Sequence, residues 1–342
     1  MKIKKIPLYL LLLTLCFAVV AASAAYSAQV PRNMRIAVFP FENFSEEKNA
    51  PANVMRLVAQ KMRNRGFELL DEENLNAFLL KERVRCTGYV SLELARKLKE
   101  ELRVDAILMG SVNAFSNAGN PHVGLSARLV RASDFRIVWA NHAAATGEDS
   151  VGLLGLGKIE DVERLAREVV DELLGSFSVI PPDKESESVY RIAVMPFQNR
   201  SKVRNAGKAA TYMFIVKLFK SERFEPFEFG EIRHLIVDLR VRDKGEIDYE
   251  RTGAISKSAG VDGIILGTVE EYSAGTGPNP PEAAISARLL DARNERLLWS
   301  DSVRRTGDDS ILMLDWGRIR SADSVTDEIM SKIVGNMEKV RW

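Results

Sequence analysis

Histidine and cysteine are the scarcest chemistry-bearing residues of this chain, with three His and two Cys among 342 residues. So few imidazoles and thiols leave little material for a metal centre or a thiol mechanism. Excess charge is lacking as well: 48 Lys and Arg face 47 Asp and Glu, for a formal net charge of +1. That balance supplies none of the sustained positive field that attracts nucleic acid or an anionic membrane surface. What is present, 46% hydrophobic and 28% charged residues, is the composition of a folded globular protein. It excludes collagen-like, coiled-coil and disordered chains.

The one long apolar run lies at the start. Lys2, Lys4 and Lys5 precede Leu8 to Ala22, fifteen apolar or small residues, and Ala22-Ser23-Ala24 follows with the small side chains of a cleavage site. Residues 1–28 are therefore expected to be a signal peptide, cut at Ala24, Ala25 or Ala28. Fifteen residues fall short of the ~20 that a spanning helix needs. Leu15 stands before Cys16 where a lipoprotein signal carries a small residue, which argues against lipidation. Cleavage would remove three lysines, take the net charge from +1 to −2, and leave Cys86 alone. An intrachain disulfide scaffold is then excluded.

The rest of the chain is written twice. Arg35-Ile36-Ala37-Val38-Phe39-Pro40-Phe41 returns as Arg191-Ile192-Ala193-Val194-Met195-Pro196-Phe197 at an offset of 156, and Val104-Asp105 to Gly110 returns as Val261-Asp262 to Gly267 at 157. Ser126-Ala127-Arg128-Leu129, Trp139, Thr146-Gly147 and Asp149-Ser150 return as Ser286-Ala287-Arg288-Leu289, Trp299, Thr306-Gly307 and Asp309-Ser310 at 160. A register that slips so little marks one duplicated domain, not a solenoid of ~20–50-residue units. The boundaries read as a first domain over 33–178, a Pro-containing charged linker over 179–189, and a second domain over 190–342.

Each copy repeats one order of elements. Arg35–Phe39 is an apolar strand stopped by Pro40. A helix from about Ala52 to Asn64 places Val54, Leu57, Val58 and Met62 on one face, and Ala210, Met213, Phe214 and Leu218 keep that stripe in the second copy. Phe67–Leu70 is a short strand, and Leu75, Phe78 and Leu79, matched by Ile232, Leu235 and Ile236, mark a second helix. Ser91 and Asp248 are N-cap candidates for a third. Ala106–Val112 is a buried strand, Val123–Val130 and Phe135–Ala143 a hairpin, and Glu160–Leu174 a closing amphipathic helix. The fold class is α/β: two tandem β-α-β-α-α-β-β-β-α domains, each a mixed sheet with helices packed on it.

The opening Arg-Ile-Ala-Val-x-Pro-Phe-x-Asn-x-Ser, Gly66-Phe67-Glu68-Leu69-Leu70, Val104 to Val112, and Ile137-Val138-Trp139-Ala140 resemble the periplasmic domain shared by the curli-secretion channel subunit and the lipoprotein that activates a peptidoglycan synthase, the CsgG/LpoB-like family. The amino-terminal domain of the Tol-Pal system's periplasmic protein, TolB, opens similarly. The resemblance implies a Gram-negative envelope protein that works by binding other proteins, without catalysis. For this chain the expected partners are envelope proteins and further copies of itself, in the periplasm, with no cofactor and only indirect membrane association. The channel branch adds two long membrane hairpins. Here Ala114–His122 and Glu271–Pro281 are nine and eleven residues, too short for paired strands of ~9–11 residues each. Two functions follow as expectations: a periplasmic adaptor or scaffold, and, as the alternative, a subunit of an outer-membrane-associated secretion assembly without membrane hairpins of its own.

Several strings imitate chemistry. Gly152-Leu153-Leu154-Gly155-Leu156-Gly157-Lys158 fills seven places of the phosphate-loop pattern, but Ile159 occupies the hydroxyl position and the second copy, Leu312 to Ile319, loses two glycines. Thr146-Gly147-Glu148-Asp149-Ser150, near His142, could be arranged as a Ser–His–Asp set. Ser302 replaces that histidine in the second copy, and turn chemistry accounts for the string. His122 and His234 have no Cys or His at ligand spacing. No catalytic, cofactor or metal residue is therefore expected, and no nucleic acid or small-molecule substrate. Partner contact is expected instead from the Gly/Pro loop, through Gly275, Pro278, Asn279 and Pro280, and from the aromatics Phe41 and Phe197. Core filling by Phe41, Phe197, Trp139 and Trp299 is the competing reading.

Overall fold

The computed structural model describes residues 28–29, 34–149, 157–177, 179–180, 189–238, 259–275, 279–311 and 317–342. Most of the expected leader, the charged part of the linker, Gly152 and Gly155, the third helix expected from Asp248, and Pro278 lie outside the described residues, as do the side chains of His234, Leu235 and Ile236.

Strand β1 (Ala28–Gln29) precedes the first domain, which runs β2 (Arg35–Val38), β3 (Glu42–Asn43), α1 (Ala50–Asn64), β4 (Glu68–Leu69), α2 (Glu72–Lys81), α3 (Leu92–Leu102), β5 (Ala106–Ser116), β6 (His122–Arg131), β7 (Ile137–Thr146) and α4 (Val162–Leu173). After β8 (Val179–Ile180) the second domain runs β9 (Tyr190–Val194), β10 (Gln198–Asn199), α5 (Ala206–Lys220), β11 (Phe224–Pro226), α6 (Phe229–Asp238), β12 (Gly263–Ser273), β13 (Glu282–Asp291), β14 (Leu297–Thr306) and α7 (Ala322–Met337). The sheets have the same order, β4-β2-β5-β6-β7 and β11-β9-β12-β13-β14, with β3 beside β5 and β10 beside β12. β2, β3 and β4 join in parallel and β5, β6 and β7 antiparallel, so each sheet is mixed. The duplication reaches the irregularities: the long hairpins shift register at Val112/Ala114 and at Val269/Glu271.

Local chemistry places the ends. Ser91 accepts a hydrogen bond from the Leu94 amide and starts α3. Asp161 does the same for Glu163, so α4 begins two residues after the expected Glu160. Phe135, expected to open a strand, sits in a turn at φ 63°, with Glu295 at φ 61° in the second copy, and β7 begins at Ile137. Ala28 and residues 179–180, assigned from sequence to the leader and the linker, pair as the antiparallel ribbon β1–β8. Among the described residues, no helix is long and apolar enough to cross a membrane.

One face of the first sheet, with Ile36, Leu108, Leu125 and Leu129, packs on the Val54, Leu57, Val58 and Met62 face of α1 and on α4. Trp139 lies in this layer, edge-on to Phe177 at 4.8 Å. The opposite face meets α2 and α3 through Phe78 and Leu98, and its remainder is covered by α5 of the second domain. From Ala209 to Val216 helix α5 is buried all round: besides Ala210, Met213 and Phe214, and Leu218 beyond them, the residues Tyr212, Ile215 and Val216 are also inside. The two domains therefore share a continuous core.

Gly110 and Gly267 hold one backbone role. A Cβ on Gly110 would lie 2.6 Å from the Phe41 ring and 2.7 Å from the Ser126 carbonyl, and one on Gly267 would lie 2.4 Å from Phe197. Neither neighbour can yield, one being a packed ring and the other backbone. Gly110→Ala is expected to destabilise the fold by about 1–3 kcal/mol, read as a lower midpoint in denaturant unfolding with unchanged slope.

Candidate functional site at the joint between the domains

The joint is built on one ion pair. Arg128 projects from β6 toward the second domain and donates through Nε and Nη2 to the two carboxylate oxygens of Glu228, each at 2.7 Å, while Nη2 also donates to the Gly88 carbonyl at 2.7 Å. The side chains are 3% and 0% exposed. Burial opposes the arginine's charge, but Glu228 overcomes it and raises the guanidinium's pKa. Glu228 ends the turn that leads from β11 into α6, so strand and helix aim it together. The Arg128 guanidinium also stacks 4.9 Å from the Tyr212 ring centroid.

Around this pair the two domains exchange further polar contacts. The Tyr212 hydroxyl donates to Glu42, whose other oxygen accepts from the Cys86 thiol at 3.3 Å. Burial, then Glu42, pushes the Tyr212 hydroxyl well up, and the same causes in the same order raise the Cys86 thiol, so neither ionises readily. Arg136 grips Glu225 with two bonds of 2.8 and 2.7 Å, and the Leu92 amide donates to Glu231 at 2.7 Å. Tyr89 meets the Phe229 ring edge-on at 5.6 Å. Gly230 is required here: a Cβ would stand 1.7 Å from the Val90 carbonyl oxygen.

A second polar patch lies beneath the joint. Ser111, Asn113 and Ser126 form a buried hydrogen-bonded chain that ends on His142 Nδ1, 3.1 Å from Ser126. His142 Nε2 is buried with no hydrogen-bond partner among the described residues. Burial lowers the imidazole's pKa against the opposing pull of Asp327 and Asp323, while Lys217 and Lys220 push it down further. Asp323, also buried, accepts from the Tyr272 hydroxyl at 2.8 Å and has its carboxyl pKa raised by that burial.

The strings singled out from sequence take structural places. Asp149 accepts from the Thr146 amide at 2.6 Å, and the Gly147 carbonyl accepts from the Ile159 amide at 2.8 Å, which makes Thr146 to Asp149 a closed turn. Ser150 lies outside the described residues; His142 bonds Ser126 instead. Lys158, last of the phosphate-loop string, pairs with Glu148 at 3.4 Å. No group of three or more His, Cys, Asp and Glu is placed to hold a metal among the described residues. The contact reading of Phe41 and Phe197 is corrected: at 4% and 5% exposure they fill the space over Gly110 and Gly267 and offer no surface. Trp139 is in the core between the first sheet, α1 and α4, and Trp299 is half-buried against the core that the two domains share. In the Gly/Pro loop Asn279 is exposed, Pro280 half-buried, and Gly275 sits at φ 76° where a Cβ would meet the Asn279 carbonyl. Sequence reasoning missed the joint itself, although Ala209 to Val216, apolar on every face apart from Thr211, carried its signal.

No family model matches the chain, and no curated protein is similar to it in sequence. Solved structures resemble domain-sized parts of it. A PelC dodecamer from Paraburkholderia phytofirmans matches with a TM-score of 0.31 and 18% identity, over 44% of this chain and 89% of its own. A lipoprotein from Neisseria meningitidis matches with a TM-score of 0.32 and 19% identity, over 42% and 97%. The C-terminal domain of LpoB from Salmonella enterica matches with a TM-score of 0.28 and 12% identity, over 35% and 85%.

Two outcomes follow from the joint. Glu228→Ala leaves Arg128 charged and unpaired in a buried site and is expected to cost about 3–5 kcal/mol; in calorimetry the transition midpoint should fall steeply. His142 is neutral when folded and gains a proton near pH ~6.5 when unfolded, so its contribution is fully present above that pH and is lost as pH falls below it. Asp323 acts in the opposite direction at lower pH, where the folded carboxyl takes up its proton before the unfolded one. Stability should therefore decline between about pH 7 and 5 with a slope of at most ~1.4 kcal/mol per pH unit, and His142→Gln should flatten that slope in urea titrations.

Proposed function

We propose that this chain is a non-enzymatic adaptor or scaffold of the Gram-negative periplasm, working through protein–protein contacts in an envelope assembly. The observation that carries the reading is the use the molecule makes of its own repeat: the sheet face of one copy is a docking surface for the other, with a buried ion pair at its centre. Packing of one copy on the other within the chain supports the reading that this domain's sheet face is suited to protein contact. The basic-apolar-small leader supplies the compartment, and the resemblance of both openings to envelope domains supplies the setting. The polar string with the strongest catalytic look, Thr146 to Asp149, is occupied in closing a turn.

Fractionation of the envelope followed by sedimentation analysis of the native protein tests the proposal. A soluble periplasmic monomer or dimer is expected. Recovery as a high-order ring in the membrane fraction would overturn it in favour of a subunit of an outer-membrane-associated secretion assembly.

A further inference from the structure

The duplication allows the covered face of the first sheet to be compared, position by position, with the same face of the second. Strand register makes Arg288 the counterpart of Arg128, Ser300 of Ala140 and Ser302 of His142. Arg128 is 3% exposed beneath the second domain, whereas Arg288, Ser300 and Ser302 are exposed. Arg296, counterpart of the Arg136 that grips Glu225, is exposed too, and neither Arg288 nor Arg296 has a side-chain partner among the described residues. Leu297 is 52% exposed where its counterpart Ile137 is 7% exposed. The second domain therefore keeps both arginines and the apolar side chain that hold the first domain's occupant, and leaves them open.

A second copy of this chain does not supply the same fit. Glu73 stands where Gly230 approaches the Val90 carbonyl, and the helix face that would cover the sheet carries Arg56 and Gln60 where α5 carries Tyr212 and Val216. Arg56 would also bring positive charge to a face that already bears Arg288 and Arg296. The geometry points to a different occupant: a separate envelope protein that docks on the open face of β12, β13 and β14 through a carboxylate flanked by aromatic or aliphatic side chains, as Glu228 lies between Phe227 and Phe229. Arg288 receives that carboxylate, and Arg296 and Leu297 flank it. Serines at 300 and 302 keep this face wettable when free, which suits an occupant that comes and goes.

This inference rests on the adaptor reading, and the test separates the two. A photoreactive residue is placed at Ser300, and separately at Asn279 in the Gly/Pro loop, in the full chain expressed in its own cells, and the cross-linked peptides are sequenced. Ser300 is expected to label a different protein at a segment with Asp or Glu beside aromatic or aliphatic residues, and Arg288→Glu should reduce that adduct at least tenfold while leaving the melting temperature unchanged. Labelling of a second copy of this chain, of a basic segment, or insensitivity to Arg288→Glu overturns the inference. Labelling from Asn279 alone overturns this face and leaves the adaptor reading standing; labelling from neither position overturns both.

Discussion

The buried pairing of Arg128 with Glu228 is the constraint on which the arrangement of the two domains depends. A guanidinium and a carboxylate lose most of their hydration in so dry a place, and their attraction compensates only when geometry is tight and the remaining donors are used. The geometry here is tight, with two 2.7 Å bonds across the pair and a further donor spent on the Gly88 carbonyl. Such a pair adds little net stability over an apolar pairing of the same shape, but it punishes any docking that separates the charges. It therefore fixes how α5 lies on the first sheet, and Gly230 sets how close the second domain comes. The apolar surface of α5 supplies the driving force, and the ion pair supplies the register.

Among the described residues, the two copies differ clearly at this contact. Their sheets share strand order, pairing and bulges. Their cores keep the same pairs, Phe41 over Gly110 and Phe197 over Gly267. What differs is the outer surface: α1 is amphipathic with Arg56, Gln60 and Arg63 outward, whereas α5 from Ala209 to Val216 is apolar on every side apart from Thr211. A helix that is apolar all round must be buried all round, and only a second sheet can cover the face that its own sheet does not reach. The chain thus forms a pair with distinct ends.

Most of the fold was legible in the sequence because its signals are local. The stripe Val54, Leu57, Val58, Met62 and the N-cap at Ser91 lie on residues whose neighbours in sequence decide their role. The joint was less legible because its partners are distant: Arg128 and Glu228 are separated by 100 positions, Glu42 and Tyr212 by 170. Each alone reads as a surface charge or a core aromatic. The aromatics assigned to partner contact illustrate the same limit, since a Phe after a strand-ending Pro serves a core and an interface equally well, and only the facing glycines of β5 and β12 decide for the core.

His142 shows how far the joint departs from a plain apolar seam. Its ring lies between the hydroxyl of Ser126 on its own domain and the carboxylates of Asp323 and Asp327 on the other, with Lys217 and Lys220 close enough to oppose protonation. A buried imidazole without a charge partner in contact stays neutral, and the carboxyl beside it, also buried, is drawn toward its protonated form. Acid thus acts on the seam in two opposed steps, first by favouring a charged imidazole that the seam resists, then by favouring a neutral carboxyl that it accepts. The second copy carries Ser302 in place of the histidine on an open face, so the step that depends on a buried imidazole belongs to the joint and has no counterpart at that position of the second copy.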